Sequence, residues 1–213
     1  ATPRDEHGKI IGPTTDVRFG NTLTTCSPEE VDFMDVAPNQ FISVATSLIP
    51  FLQHDDANRA LMGSNMQRQA VALVRPQAPY VGTGEEEKAA QDSGYVLKAE
   101  GDGEVLEVDA AHIKVRYRSA VGNYVLEKFK RSNQFTCISQ RPVVSVGDKV
   151  KKGDILADGP SIDNGVLALG QNLLVAFLSW EGANFEDAIV VSDRVVREDL
   201  FTSIHIEEFY CDV

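Results

Sequence analysis

The chain has 213 residues, 43% of them hydrophobic and 24% charged, enough to bury a core in one or two domains. No apolar run approaches the roughly 18 residues that would suggest a membrane span, and the opening ATPRDEHGKI carries no signal-peptide pattern. A net charge of -12 excludes gripping a phosphate backbone by bulk electrostatics. Any meeting with nucleic acid has to pass through a local patch, within a larger and more basic assembly.

Cys26, Cys137 and Cys211 are odd in number and scattered, so neither a disulfide framework nor a CxxC zinc site is expected, and a reducing compartment is the simplest setting. The chain opens without methionine and closes on the alternating, strand-like IHIEEFYCDV. Both ends are expected to be cuts through a longer polypeptide.

In chain order, residues 1–30 read as a polar loop or linker, with Ser27-Pro28-Glu29-Glu30 marking a turn or helix start. VDFMDV then alternates like a short strand, and FISVATSLIP reads as strand into short helix. Asp55 or Asp56 caps a helix that runs to about Gln69. VALVRPQAPYVGTG is extended, and Thr83 caps a helix over EEEKAAQD, whose three leading glutamates suit the helix dipole.

From Gly94 the pattern turns to strands: YVLKAEGDGEVLEVDAAHIKVRYR and NYVLEKFKRS alternate apolar with charged residues. VVSVGDKVKKGDILADGP has the form of a compact β hairpin with turns at Gly147-Asp148 and Gly153-Asp154. ALGQNLLVAFLSW reads as a buried apolar strand, and EGANFEDAIVVSDRVVREDL as a turn, a strand and a short helix. The class is α+β and mainly β.

On the helix after Asp56, Asn58, Met62, Asn65 and Gln69 share one stripe at about 100° per residue, flanked by Arg59 and Arg68. Amides default to solvated surface. Their small neighbours Ala57, Ala60, Gly63 and Ser64, with Met62 and Met66, suit burial instead, where amides need partners. His54, Asp55 and Asp56 are adjacent on the chain and do not converge on a metal, so capping is their expected role. Glu186-Asp187 is either a salt-bridged turn or a site for magnesium and phosphate. Lys128, Lys130 and Arg131 are a basic patch or a solvated strand face. The GDKVKKGD turns lack the exposed modifiable lysine triplet of carrier domains and read as architecture.

Taken together, SLIPFLQHDDANRALMGSNMQRQA, RSNQ, GDKVKKGDILADGP, LALGQN and NFEDAI resemble, in order and spacing, the β subunit of bacterial or plastid DNA-directed RNA polymerase. The resemblance covers most of residues 31–209 and implies an internal fragment of a far longer subunit. It implies a mixed α/β segment over 31–93, a barrel-sandwich-hybrid-like domain over 94–165, and the start of a double-psi β-barrel over 166–213, left incomplete. It also implies roles. Glu186 and Asp187 match the acidic pair near the second Mg2+ and the nucleotide triphosphate, with their contact to the metal indirect. Arg59 matches an arginine toward that triphosphate. Asn65, Arg68 and Gln69 match residues near the RNA 3′ end and its path. The catalytic aspartate triad, NADFDGD in the family, belongs to the β′ subunit and holds most of the Mg2+, so this chain has no catalytic residue of its own. Implied partners are the β′ and α subunits, sigma or elongation factors, and the DNA template, RNA and nucleoside triphosphates, in the cytoplasm or plastid stroma and without a membrane. The competing reading is a structural or interaction module, or a piece of a split subunit, without chemistry of its own.

Overall fold

The computed structural model describes residues 3–35, 39–118 and 120–212, and the chain divides into a unit of residues 1–43 and one of residues 44–213. In the first, β1 (Thr15–Phe19) and β2 (Thr22–Cys26) form an antiparallel hairpin around Gly20-Asn21, with Thr15 opposite Cys26 and Phe19 opposite Thr22. This corrects the expected loop. Gly20 adopts the left-handed turn conformation (φ 59°), and the flanking threonines and Val17 favour extended backbone. A 3-10 turn follows at Pro28–Glu30, where the Glu30 carboxylate accepts a hydrogen bond from Ser27 N at 3.2 Å. Residues 31–35 form no strand, contrary to the alternating pattern; Val36, the last residue of that run, lies outside the described residues.

The second unit opens with α1 (Val44–Ser47) and α2 (Ala57–Gln67), which pack on each other. The strand expected before α1 is absent. In α3 (Glu85–Asp92) the cap position belongs to Gly84, although the Thr83 hydroxyl does accept from Glu85 N at 3.4 Å. The buried Glu86 carboxylate reaches back to Thr83 N and Gly84 N, both at 2.8 Å. Burial pushes the Glu86 carboxyl up, but these hydrogen bonds outweigh it and hold it below its ordinary value.

The β region has two principal sheets. β4 (Gly103–Val108), β5 (His112–Tyr117), β6 (Val121–Val125) and β10 (Lys149–Val150) make a four-stranded antiparallel sheet in the order β10-β4-β5-β6. β3 (Leu97–Lys98), β11 (Ile155–Asp158) and β9 (Arg141–Pro142) make a second, in the order β3-β11-β9. Val105, Ile113, Val115 and Val150 from the first and Leu156 and Ala157 from the second form one core. Both GD turns occur as expected: Asp148 accepts from Ser145 N at 2.7 Å and Asp154 from Lys151 N at 2.8 Å. The compact hairpin does not: β10 pairs with β4 while β11 pairs with β3 and β9, so the segment ties two sheets together. Two small hairpins complete the region, β7 (Lys130–Arg131) with β8 (Cys137–Ile138) and β12 (Ile162–Asp163) with β13 (Val166–Leu167); α3 packs on β13.

Beyond residue 170 regular structure thins to α4 (Asp193–Arg197). The strand expected over ALGQNLLVAFLSW does not form, and although Ala168 at its start is buried, LLVAFLSW is not, with Phe177 98% exposed; the strand expected at 188–191 is also missing. A strand needs a neighbour for its N–H and C=O groups, and no ladder partner is present among the described residues. Among the described residues of IHIEEFYCDV, His205 alone makes an isolated bridge, to Thr136. The molecule is thus mainly β, with a few short helices, several small antiparallel sheets and no closed barrel among the described residues.

Candidate functional site

Asp56 caps α2 by accepting from Asn58 N at 3.0 Å, which fixes the helix start and hence the facing of every side chain after it. One side of the helix turns inward: Ser64 is buried and receives a hydrogen bond from Thr46 Oγ1 at 3.1 Å. A Cβ on Gly63 would lie 3.9 Å from Ile49 Cδ1, an ordinary contact, so this side of the helix faces Ile49 without requiring a glycine there. Gln67 also faces this side, and its Oε1 is buried without a partner.

The opposite side carries the sequence-predicted residues. Asn58, Arg59, Asn65, Arg68 and Gln69 are all exposed, as are Met62 and Met66. This decides the stripe in favour of an accessible face: the small residues at 60, 63 and 64 pack inward while the amides stay outside. The arginines are steered along the helix, Arg59 Nη1 toward Met62 Sδ at 3.7 Å and Arg68 onto the Asn65 side-chain oxygen. Positions three apart meet on a helix, so these contacts order the guanidiniums without neutralising them.

Glu186 and Asp187 lie on a run of turns built by Asn184. The Asn184 Oδ1 accepts from Trp180 N at 2.8 Å, and its Nδ2 donates to Leu178 O at 2.6 Å. Glu186 is held in left-handed backbone (φ 58°), a conformation that costs a non-glycine residue roughly 1–2 kcal/mol. Both carboxylates are exposed and accept no hydrogen bond or ion pair from the described residues, so the salt-bridged-turn reading fails. Asn184 is a positioning residue the sequence reading passed over; its place inside GANFED was the available signal.

The two groups of residues are connected through the chain between them. After α2, Leu73 bridges Ser203 and Gln77 bridges Gly170; Val74 N donates to Thr202 O at 2.8 Å. Asn172 Nδ2 donates to Ala78 O at 2.8 Å, and its backbone N–H donates to Gln77 Oε1 at 3.1 Å. Segments on both sides of the acidic turn are therefore laced to the segment that leaves α2. Among the described residues no hydrogen bond or ion pair joins Arg59, Asn65, Arg68 or Gln69 directly to Glu186 or Asp187.

No group of three or more His, Cys, Asp or Glu side chains fit for a metal exists among the described residues. An adjacent carboxylate pair without protein partners suits a shared Mg2+, which is commonly held by one or two carboxylates together with substrate phosphates and water. It does not suit a self-sufficient cage. His54 and Asp55 join no such cluster.

Residues 98–213 match the family described as RNA polymerase Rpb2, domain 6. Over 211 residues the chain is 61% identical to the DNA-directed RNA polymerase subunit beta of Rubrobacter xylanophilus, covering 98% of this chain and 18% of the relative. It is 57% identical over 208 residues to the same subunit of Thermosynechococcus vestitus, covering 97% of this chain and 19% of the relative. With that of Synechococcus elongatus it shares 56% identity over 206 residues, 96% of this chain and 19% of the relative. The chain thus spans about a fifth of the length of these curated relatives. With the family match reaching over more than half of its residues, the chain belongs to the β-subunit family of DNA-directed RNA polymerases.

Proposed function

We propose that the chain forms one wall of a polymerase active centre, contacting the nucleoside triphosphate and the RNA 3′ end during template-directed RNA synthesis. The carrying observation is the accessible face of α2, which holds Arg59, Asn65, Arg68 and Gln69 outward on a helix fixed by the Asp56 cap and the buried Ser64. Arg59 places a fixed positive charge toward a triphosphate. Asn65 and Gln69 offer both donors and acceptors to a ribose and base, and Arg68 pairs with a phosphate oxygen along the RNA path. Phosphoryl transfer depends chiefly on positioning and charge neutralisation, which this set can supply.

Glu186 and Asp187 orient the metal-bound triphosphate through water, Asn184 setting their direction. When bound, Mg2+ neutralises charge on the phosphates, and most of its ligands come from the β′ subunit. The chain is inactive alone and works in assembly with β′ and α subunits on DNA and RNA, with sigma or elongation factors docking on the whole, in the cytoplasm or a plastid stroma. No helix among the described residues is long and apolar enough to cross a membrane. Residues 94–165 correspond to a barrel-sandwich hybrid and 166–213 to the start of a double-psi barrel. The exposed Leu174, Phe177 and Ile189 support that second assignment, as apolar positions awaiting further strands.

Single-turnover nucleotide addition by the assembled enzyme tests the reading. Arg59→Ala should slow addition by at least roughly tenfold, and Glu186→Ala with Asp187→Ala by roughly a hundredfold. Full rates with both variants would sink the assignment.

A further inference from the structure

Away from α2 and the acidic turn, a cavity of about 200 Å3 opens between the segment that leaves α2, the β7–β8 hairpin and the 159–161 turn. Its walls are mainly apolar, from Leu73, Val74, Pro76, Phe129 and Ile204. Lys128 and Arg141 add two cations, Ser139 and Ser161 two hydroxyls, and Cys137 a thiol. No acidic side chain lines it, in a chain where Asp and Glu number 32 against 20 Lys and Arg.

The two cations lack counterions. Among the described residues neither forms an ion pair. Each instead donates to a backbone carbonyl, Lys128 Nζ to Gln140 O at 2.7 Å and Arg141 Nη1 to Val74 O at 3.3 Å. These contacts aim the side chains and leave their charge and most of their donors unspent. Lys128 also sits over the Phe129 ring, 5.5 Å from its centroid. The Ser139 and Ser161 hydroxyls likewise make no hydrogen bond to the described residues. Convergent donors, uncompensated positive charge and apolar walls together describe a receptor for an anion with an apolar body.

We propose that this cavity binds a small organic carboxylate, its apolar body against Leu73, Val74 and Ile204 and its carboxylate between Lys128 and Arg141. The volume sets the size: it falls below the roughly 300–1,000 Å3 of sites for drug-sized ligands, which excludes a nucleoside triphosphate and admits a single ring or short chain. The site is separate from the proposed contacts to nucleotide and RNA.

Cys137 provides a reporter that does not depend on polymerisation. It is half-buried, and burial pushes its thiol up while the neighbouring Lys128 charge pulls it down. Iodoacetate and iodoacetamide alkylate the same sulfur and differ in charge. In the full-length subunit within the assembled enzyme, peptide mass spectrometry should show a rate ratio of iodoacetate to iodoacetamide at Cys137 roughly five- to tenfold above that of the uncharged thiol N-acetylcysteinamide. Benzoate, as the probe ligand, should protect Cys137 from iodoacetamide. Lys128→Met with Arg141→Met should abolish both effects, while Lys128→Arg should keep them, separating charge from damage to the fold. A ratio equal to that of N-acetylcysteinamide overturns the proposal. So does protection by inorganic phosphate with none by benzoate, or a thiol inert to both reagents because other parts of the assembly fill the cavity.

Discussion

Residues 94–168 and residues 169–212 are both rich in apolar side chains in strand-like patterns, the second the richer for its length, and fold to opposite ends. In the first, Val105, Ile113, Val115 and Leu156 are all but sealed from solvent, and two sheets share one core. In the second, Leu174, Phe177, Ile189 and Phe209 stand open and no ladder forms. The β propensity of the two is comparable; what separates them is closure. A strand pattern becomes a strand only where a neighbour takes up its N–H and C=O groups, and β4, β5 and β6 find theirs within a few residues of sequence.

The largest expected effect breaks the denser region while sparing the other. Leu156→Ala should destabilise the chain by about 2–5 kcal/mol in denaturant unfolding, through lost burial and the cavity left behind. Phe177→Ala should change stability by less than about 0.5 kcal/mol, because its ring makes little protein contact to lose. Equal effects would mean that Phe177 is covered in solution by something the fold of these residues does not supply.

A polar contrast of the same kind comes next. Asp158 is 2% exposed and its carboxylate accepts from Asn164 N at 2.7 Å and Gly165 N at 2.8 Å, clasping the turn between β12 and β13. Asp158→Ala orphans both N–H groups and should cost about 1–3 kcal/mol. Asn184→Ala removes a comparable pair of side-chain hydrogen bonds from the acidic turn, but solvent can replace them, so thermal unfolding should register less than about 1 kcal/mol. A large loss from Asn184→Ala would show the acidic turn to be part of the cooperative core.

These contrasts also mark what was legible in the sequence. A cap at Asp55 or Asp56, which the structure places at Asp56, the two GD turns and the strands from 103 to 125 rest on local chemistry, a side chain bonding its own backbone or a strand meeting its nearest neighbour, and these appear as read. The outward stripe of Asn58, Asn65 and Gln69 was legible as a stripe, while its direction depended on α1, whose Thr46 selects Ser64 as the inner face. The pairing of β10 with β4 and of β11 with β3 joins strands some 40–60 residues apart, beyond any local pattern. The β1–β2 hairpin was readable from Gly20-Asn21 between β-branched residues, but polar composition masked it. The missing strands after residue 170 were unreadable for the opposite reason: their pattern is sound, and no ladder partner for them is present among the described residues.

The smallest effect separates the two regions by the cause of a titration shift. Tyr124, its hydroxyl 2.5 Å from that of Tyr117 at the edge of the four-stranded sheet, is pushed up from 10.0 to about 12 by burial first and by that hydrogen bond second. Tyr210 is also raised, but by a hydrogen bond to Glu208 first and by that carboxylate's charge second, in full exposure. Salt screens the charge contribution at Tyr210 and leaves the burial contribution at Tyr124 largely intact. Phenolate absorbance should therefore show the Tyr210 value falling toward the ordinary range as salt rises, with Tyr124 nearly unmoved. Because the folded value of Tyr124 lies above the unfolded one, its contribution to stability is complete below about pH 10 and is lost as pH climbs toward about 12. Tyr124→Phe should flatten that alkaline decline, whereas Tyr210→Phe should leave it in place. A decline that follows Tyr210 instead would put the alkaline weak point in the open segment and not at the sheet edge.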